Sequence, residues 1–244
     1  MNRKELKEKA KAALKANYIR CVVVSLILVA VTGASLTLSF NTSGVSTANG
    51  SLEIEVNGEQ VDLVEAVQND ETVAIILTAI AVIVLLAVLL AVLADVFAAN
   101  PLEVGCKDFF LDNSKEEAKM DRVINGFKNG YKRNVWAMFL KGLYVFLWSC
   151  LLIVPGIIKS IAYSMVPYIL ADEPYITAKE ALKKSQAMTK GHKGELFMLD
   201  LSFFGWFFLT ALTFGVLGVF YVNPYYNGTQ AEAYRALKDA YEEA

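Results

Sequence analysis

Long apolar stretches separated by short polar segments dominate this chain of 244 residues. The clearest stretch, 72–94, contains 23 residues and no charged side chain. A helix of about 20 apolar residues crosses the hydrocarbon core of a bilayer, which is roughly 30 Å thick. The pattern therefore predicts an all-α polytopic membrane protein.

We predict a single membrane domain over 1–244 with about six transmembrane helices, paired as three hairpins. The first apolar stretch exceeds the 7–15 residues typical of a signal-peptide core, so we interpret it as an uncleaved span. Segment 157–171 is short enough to re-enter the membrane instead of crossing it. Segment 196–226 is long for one span and short for two. The predicted spans are 18–40, 72–98, 135–154, 157–171, 195–212 and 215–236.

The polar segment 41–71 has a different periodicity. Apolar and polar residues alternate in 52–56 and again in 59–63, on either side of Asn57 and Gly58. Alternation around Asn-Gly is a strong signal for a β-hairpin. We therefore predict a small extracellular β-hairpin in this loop.

The distribution of lysine and arginine predicts the orientation. Segments 1–20 and 100–134 hold seven each and 172–195 holds five, whereas 41–71 holds none and has seven acidic residues. Positively charged loops stay in the cytoplasm. Two cytoplasmic loops on either side of 135–171 require an even number of crossings between them. We therefore expect a multi-pass protein of the bacterial cell membrane with both termini in the cytoplasm.

Two cytoplasmic segments have the pattern of amphipathic helices. In 2–17, lysines recur at helical spacing on one face and Leu6, Ala10 and Leu14 lie on another. In 177–190, small and apolar residues also share one face. A basic amphipathic helix next to a span can lie on an anionic leaflet. A solvated helix start is the alternative for the first segment.

Prolines mark the expected helix breaks. Pro155 and Gly156 interrupt the long apolar stretch 135–171 and predict the turn of a hairpin. Residues 100–105 and 223–228 share the pattern Asn-Pro-x-x-x-Gly. A proline can kink a helix or mark the passage from a span to an interfacial helix. Each inward-running helix would then carry one late in its course, namely Pro101, Pro167 and Pro224.

Charged residues inside the predicted spans are the candidate functional residues, because burying them in lipid is costly. Asp95, Lys141 and Asp200 lie at similar predicted depths near the cytoplasmic boundary. Our hypothesis is that Lys141 pairs with Asp95 or Asp200 in an intramembrane polar cluster. The alternative is that each side chain extends to the headgroups on its own.

The sequence nominates no reaction. Three cysteines and one histidine share no ligand spacing, so we expect neither a metal nor another cofactor. The net charge of −2 does not indicate nucleic acid. We expect a non-enzymatic accessory, scaffold or envelope-related protein whose partners are the bilayer and other membrane proteins. The alternatives are a small transporter or channel and an enzyme acting on lipid.

Several blocks of this sequence carry a specific pattern of residues. The most specific block is 153–159, Ile-Val-Pro-Gly-Ile-Ile-Lys, and it leads to Tyr163-Ser164-Met165. Together with the opening 3–14 and the segments 100–110 and 199–206, this block resembles a bacterial family of integral membrane proteins, domain of unknown function 975. The resemblance implies a multi-helix membrane protein with no established activity.

Overall fold

The computed structural model describes residues 2–36, 45–48, 51–56, 59–62, 71–115 and 118–243. These residues are mainly helical, which confirms the predicted helical class. They divide into two compact units, one of 1–33 with 95–244 and one of 34–94. The single membrane domain stays a prediction.

The unit of 34–94 contains a three-stranded antiparallel sheet and one long helix. Strand β2 lies in the middle, and its Ile54 is paired with Val45 on one side and Val61 on the other. The predicted hairpin turn at Asn57 and Gly58 lies outside the described residues. The elements are β1 Val45–Ala48, β2 Ser51–Val56, β3 Glu59–Asp62 and a helix, Glu71–Ala94, that follows α1 and α2 in the chain and is called α3.

The unit of 1–33 and 95–244 is helical in its described residues. Its α-helices are α1 Arg3–Ala16, α2 Tyr18–Leu36, α4 Asn100–Asn113, α5 Asn125–Lys128, α6 Tyr131–Leu151, α7 Ile153–Ala162, α8 Val166–Asp172, α9 Ala178–Met188, α10 Lys193–Leu201, α11 Phe204–Leu212 and α12 Asn223–Glu242. Two π-helical turns, Asp95–Ala99 and Gly218–Val222, and one 3₁₀ turn, Met120–Ile124, complete the set.

The core of this unit lies where α4 packs against α8 and α12, and α12 packs against α1. Phe109, Ile169 and Tyr234 are at most 1% exposed there. Removing a large apolar side chain from water contributes roughly 1.5–3 kcal/mol. This core holds the helices that carry the polar residues described below.

Exposure rises along the helices that leave this core. Helix α6 has Asn134 and Met138 buried near its start, whereas Phe146 is 64% exposed and Leu151 is 69% exposed near its end. Helix α11 likewise exposes Phe208. Large apolar surfaces of this kind fit hydrocarbon and not water. The apolar ends of these helices are therefore the parts of the unit suited to lipid.

Four helical segments of the described residues are long and apolar enough to cross a membrane. They are Ala74–Asn113, Tyr131–Leu151, Ile153–Asp172 and Lys193–Leu212, and a fifth is added if Arg3–Ala16 and Tyr18–Val29, bent by 107°, count as one. The six predicted spans are not confirmed. The predicted last span, 215–236, is not among these segments because α12 contains Asn227, Thr229, Gln230 and Glu232.

The turn of the central hairpin lies slightly earlier than predicted. Helix α6 ends at Leu151, Leu152 is extended, and α7 begins at Ile153. Pro155 and Gly156 therefore lie in the first turn of α7. A proline is tolerated there because the first backbone N–H groups of a helix have no intrahelical partner. A second break then separates α7 from α8.

Candidate functional site

Pro101 and Pro224 each follow a π-helical turn closely in the chain. Asp95–Ala99 precedes Pro101, and Gly218–Val222 precedes Pro224. Proline has no N–H, and its ring clashes with the carbonyl four residues earlier. A π-helical turn absorbs that clash without ending the helix. Pro167 also lies in the first turn of a helix, α8, but a turn and not a π-helix precedes it.

The carbonyl that each proline frees accepts a hydrogen bond from a tyrosine. The hydroxyl of Tyr131 donates to the oxygen of Phe97 at 2.8 Å, and that of Tyr18 donates to the oxygen of Phe220 at 2.8 Å. Each tyrosine is the first residue of its helix, α6 or α2. An unpaired carbonyl is costly in an apolar environment. These two bonds therefore stabilise both proline junctions.

A set of polar side chains from five helices forms the candidate site. The ammonium of Lys141 lies 3.7 Å from a carboxylate oxygen of Glu103, and the Lys107 ammonium donates to the side-chain oxygen of Asn227 at 2.7 Å. One Asp200 oxygen accepts from the Tyr226 hydroxyl at 3.0 Å and from the Gln230 amide at 2.5 Å. We call this set the polar centre: Glu103, Lys107, Lys141, Tyr168, Asp200, Tyr226, Asn227 and Gln230.

Tyr168 lies next to Lys107 in the polar centre. Its ring stacks on Tyr234 with centroids 5.6 Å apart, and the Lys107 ammonium lies 5.3 Å from its ring centroid. The Tyr168 hydroxyl is buried and has no hydrogen-bond partner among the described residues. The polar centre therefore contains one buried hydroxyl that no described side chain or backbone group hydrogen-bonds.

The structure gives the predicted charged residues specific neighbours. Lys141 pairs with Glu103, and Asp200 pairs with polar groups of α12. Asp95 begins the π-helical turn before Pro101. The three-residue cluster of Asp95, Lys141 and Asp200 itself stays a prediction.

A second network lies beside the polar centre at the end of α12. Asp172 accepts hydrogen bonds from the Tyr234 hydroxyl at 3.0 Å and from the Lys238 ammonium at 2.5 Å. Burial favours a lower pKa for Lys238, but the hydrogen bond and the charge of Asp172 outweigh it and raise the pKa. The Lys238 side chain therefore stays charged and fixes α12 against the end of α8.

The C-terminal part of the chain has a match among known families. Residues 150–241 match the family described as Protein of unknown function (DUF975). The resemblance seen in the sequence is confirmed for this segment. No curated protein and no solved structure matches the chain.

The DUF975 segment supplies only one side of the polar centre. It contains Tyr168, Asp200 and the α12 residues, whereas Glu103, Lys107 and Lys141 precede it. Sequence reasoning missed Glu103 and Lys107 because they follow the second predicted span, in a segment assigned to the cytoplasm. Their spacing of four residues, which places them on one helix face, was the available signal.

Proposed function

We propose that this DUF975 chain is a multi-pass protein of the bacterial cell membrane that acts without catalysis, as an accessory or scaffold for other membrane components. Both termini would lie in the cytoplasm. The observation that carries the proposal is the pairing within the polar centre. Glu103 and Asp200 balance Lys107 and Lys141, so the four residues have no formal net charge.

Pairing of this kind supports a structural role for the site. Polar side chains between membrane helices hydrogen-bond across the helix interface and fix how the helices pack. The Lys141–Glu103 pair is partly exposed, so its contribution to stability is modest, and its main effect is to fix which helix faces meet. We infer that the polar centre holds α4, α6, α10 and α12 in one arrangement that presents the apolar hairpin ends to lipid and to other membrane proteins.

Exchanging two charges tests this role. Glu103→Lys or Lys141→Glu alone places like charges together and should lower the yield of folded protein in detergent and its thermal unfolding midpoint. The double exchange should recover most of both. In a strain lacking the protein, the double exchange should also restore the envelope lipids and the amounts of other membrane proteins as well as the wild type does. A folded double variant that restores neither would contradict a purely structural pair.

A small transporter or channel is the second candidate, and the unpartnered hydroxyl of Tyr168 favours it. A buried hydroxyl without a partner is suited to hydrogen-bond a polar solute. Tyr168→Phe removes only that group, so the variant should fold. If the chain transports a solute, the deletion strain should show altered uptake of it, and Tyr168→Phe should fail to restore uptake. Full complementation by Tyr168→Phe supports the accessory role.

A further inference from the structure

Helix α1 turns its apolar face to the protein. Leu6, Ala10 and Leu14 are at most 6% exposed, and α1 packs along α12. From the sequence, this helix could lie on an anionic leaflet with its apolar face inserted. In the structure, that apolar face instead packs against α12. A different face, carrying positive charge, remains accessible.

Three cations follow one another along that face. Arg3, Lys7 and Lys11 are spaced by four residues, which places them on one side of a helix. Arg3 and Lys11 are exposed, and Lys7 is partly buried. Burial lowers the pKa of Lys7, and so do the positive charges of Arg3 and Lys11. Helix α1 holds six lysine and arginine residues against two acids, Glu5 and Glu8. Glu5 pairs with Lys9 at 2.8 Å. The stripe therefore has a local excess of positive charge.

Aromatic rings hold two of these cations in place. The Lys7 ammonium lies 4.3 Å from the ring centroid of Phe203, and that of Lys11 lies 5.5 Å from the ring centroid of Tyr225. Cations above aromatic rings at these distances are attracted to the ring face. The lysines are therefore positioned at the base of α11, where the exposed apolar surface starts with Phe204.

A series of aromatic rings in contact connects the lysines with the exposed apolar surface of α11. The ring centroid of Tyr225 is 5.7 Å from that of Tyr221, which is 5.5 Å from that of Trp206 on α11. Phe204 is 69% exposed, and Phe208 one turn later is 64% exposed. Tyrosine and tryptophan favour the boundary between headgroups and hydrocarbon. Positive charge, aromatic residues and apolar surface therefore follow one another in the same order as the headgroup, the interfacial region and the acyl chains of a phospholipid.

We propose that Arg3, Lys7 and Lys11 bind the phosphate of an anionic phospholipid in the cytoplasmic leaflet, with its acyl chains along α11. The inference rests on the proposed membrane location. Charge complementarity selects the anionic lipid, because a zwitterionic headgroup adds a positive charge next to the phosphate. The bend of 107° between α1 and the helix of Tyr18–Val29 allows α1 to lie across the direction of that helix, as a headgroup-level helix requires.

The test measures lipid retention in bilayer nanodiscs made from equal parts phosphatidylglycerol and phosphatidylcholine. Native mass spectrometry of the released wild-type protein should show phosphatidylglycerol retained in preference to phosphatidylcholine. Arg3→Gln, Lys7→Gln and Lys11→Gln together should reduce that preference by about tenfold or more, since each cation near an anionic surface contributes on the order of fivefold in affinity. Lys7→Arg with Lys11→Arg should retain it.

The matched control removes the same charge elsewhere. Lys179, Lys183 and Lys190 are exposed on and just after α9, and their triple change to glutamine should leave the lipid preference unchanged. An equal loss in both triple variants would overturn the site. So would equal retention of the two lipids by the wild type. If the wild type failed to enter nanodiscs at all, the membrane proposal itself would be wrong.

A second measurement uses only the wild-type protein, so it tests the site even if the triple variant does not fold. A phosphatidylglycerol analogue with a photoreactive headgroup should label wild-type peptides around Lys7 and Lys11, as mapped by mass spectrometry. Unlabelled phosphatidylglycerol should suppress that labelling, and phosphatidylcholine should not. Labelling confined to other peptides would contradict the proposal.

Discussion

The two proline junctions share their hydrogen bonds and differ in how tightly their glycines pack. At both, a π-helical turn precedes the proline, and a tyrosine hydroxyl donates at 2.8 Å to the freed carbonyl. At the first junction, a methyl group on Gly105 would lie 1.9 Å from the backbone oxygen of Val123. At the second, a methyl group on Gly228 would lie 3.6 Å from the side chain of Ala10, an ordinary contact.

This difference separates what the motif needs from what each helix crossing needs. At both junctions the proline frees a backbone carbonyl and a tyrosine hydroxyl binds it, whereas the glycine is required only where two backbones touch. At the first junction Gly126 approaches from the other side, and a methyl group there would lie 1.8 Å from the oxygen of Pro101. The pattern Asn-Pro-x-x-x-Gly therefore occurs at a tight helix crossing in its first copy and at a loose crossing in its second.

Substituting the two glycines should give the largest contrast. Gly105→Ala forces the α4 backbone away from Val123, and we expect it to destabilise the protein by about 3 kcal/mol or more, or to prevent folding. Gly228→Ala meets ordinary space in a helix interior and should change stability by about 1 kcal/mol or less in either direction. Thermal unfolding in detergent measures both. Equal losses in the two variants would remove the distinction.

The partners of the two motifs offer the next contrast. Glu103 and Tyr226 both stand two residues after the proline, and each contacts a charged residue, Lys141 or Asp200. Asp200→Ala removes the acceptor of two hydrogen bonds and should cost about 2–3 kcal/mol. Lys141→Ala removes an ion pair that is partly exposed and longer, so it should cost about 1 kcal/mol or less.

Chemical denaturation of the two purified variants measures this order. Asp200→Asn serves as the control, because the amide keeps an oxygen acceptor and should recover much of the loss. If Lys141→Ala lowered the free energy of unfolding as much as Asp200→Ala does, the expected difference between the two interactions would be wrong.

Local patterns in the sequence predicted the helical class and identified the repeated Asn-Pro-x-x-x-Gly motif, because these follow from apolar runs and from residue order along the chain. The partners of Lys141 and Asp200 depend on which helices cross, and the sequence does not contain that information locally. The predicted span 215–236 shows the same limit. Asn227, Thr229 and Gln230 of α12 are buried, and α12 packs against α4 and α1. The sequence alone does not show that protein covers them, so the span 215–236 stays a prediction.

The smallest predicted effect tests why the tyrosines are there. Tyr131→Phe removes one hydrogen bond to the Phe97 carbonyl and should cost about 1 kcal/mol. Pro101→Ala restores an N–H that can pair with that carbonyl within the helix, so the carbonyl no longer depends on the tyrosine. In the Pro101→Ala background, Tyr131→Phe should therefore cost distinctly less.

Unfolding of the four proteins in this double-mutant cycle measures the coupling, and Tyr18→Phe with Pro224→Ala repeats it at the second junction. Tyr18 is 43% exposed, so solvent or headgroups can replace part of its bond and the coupling there should be weaker. Additive losses at both junctions would mean that the tyrosines do not serve the freed carbonyls. Coupling at both, and stronger at Tyr131, would establish one backbone solution used twice.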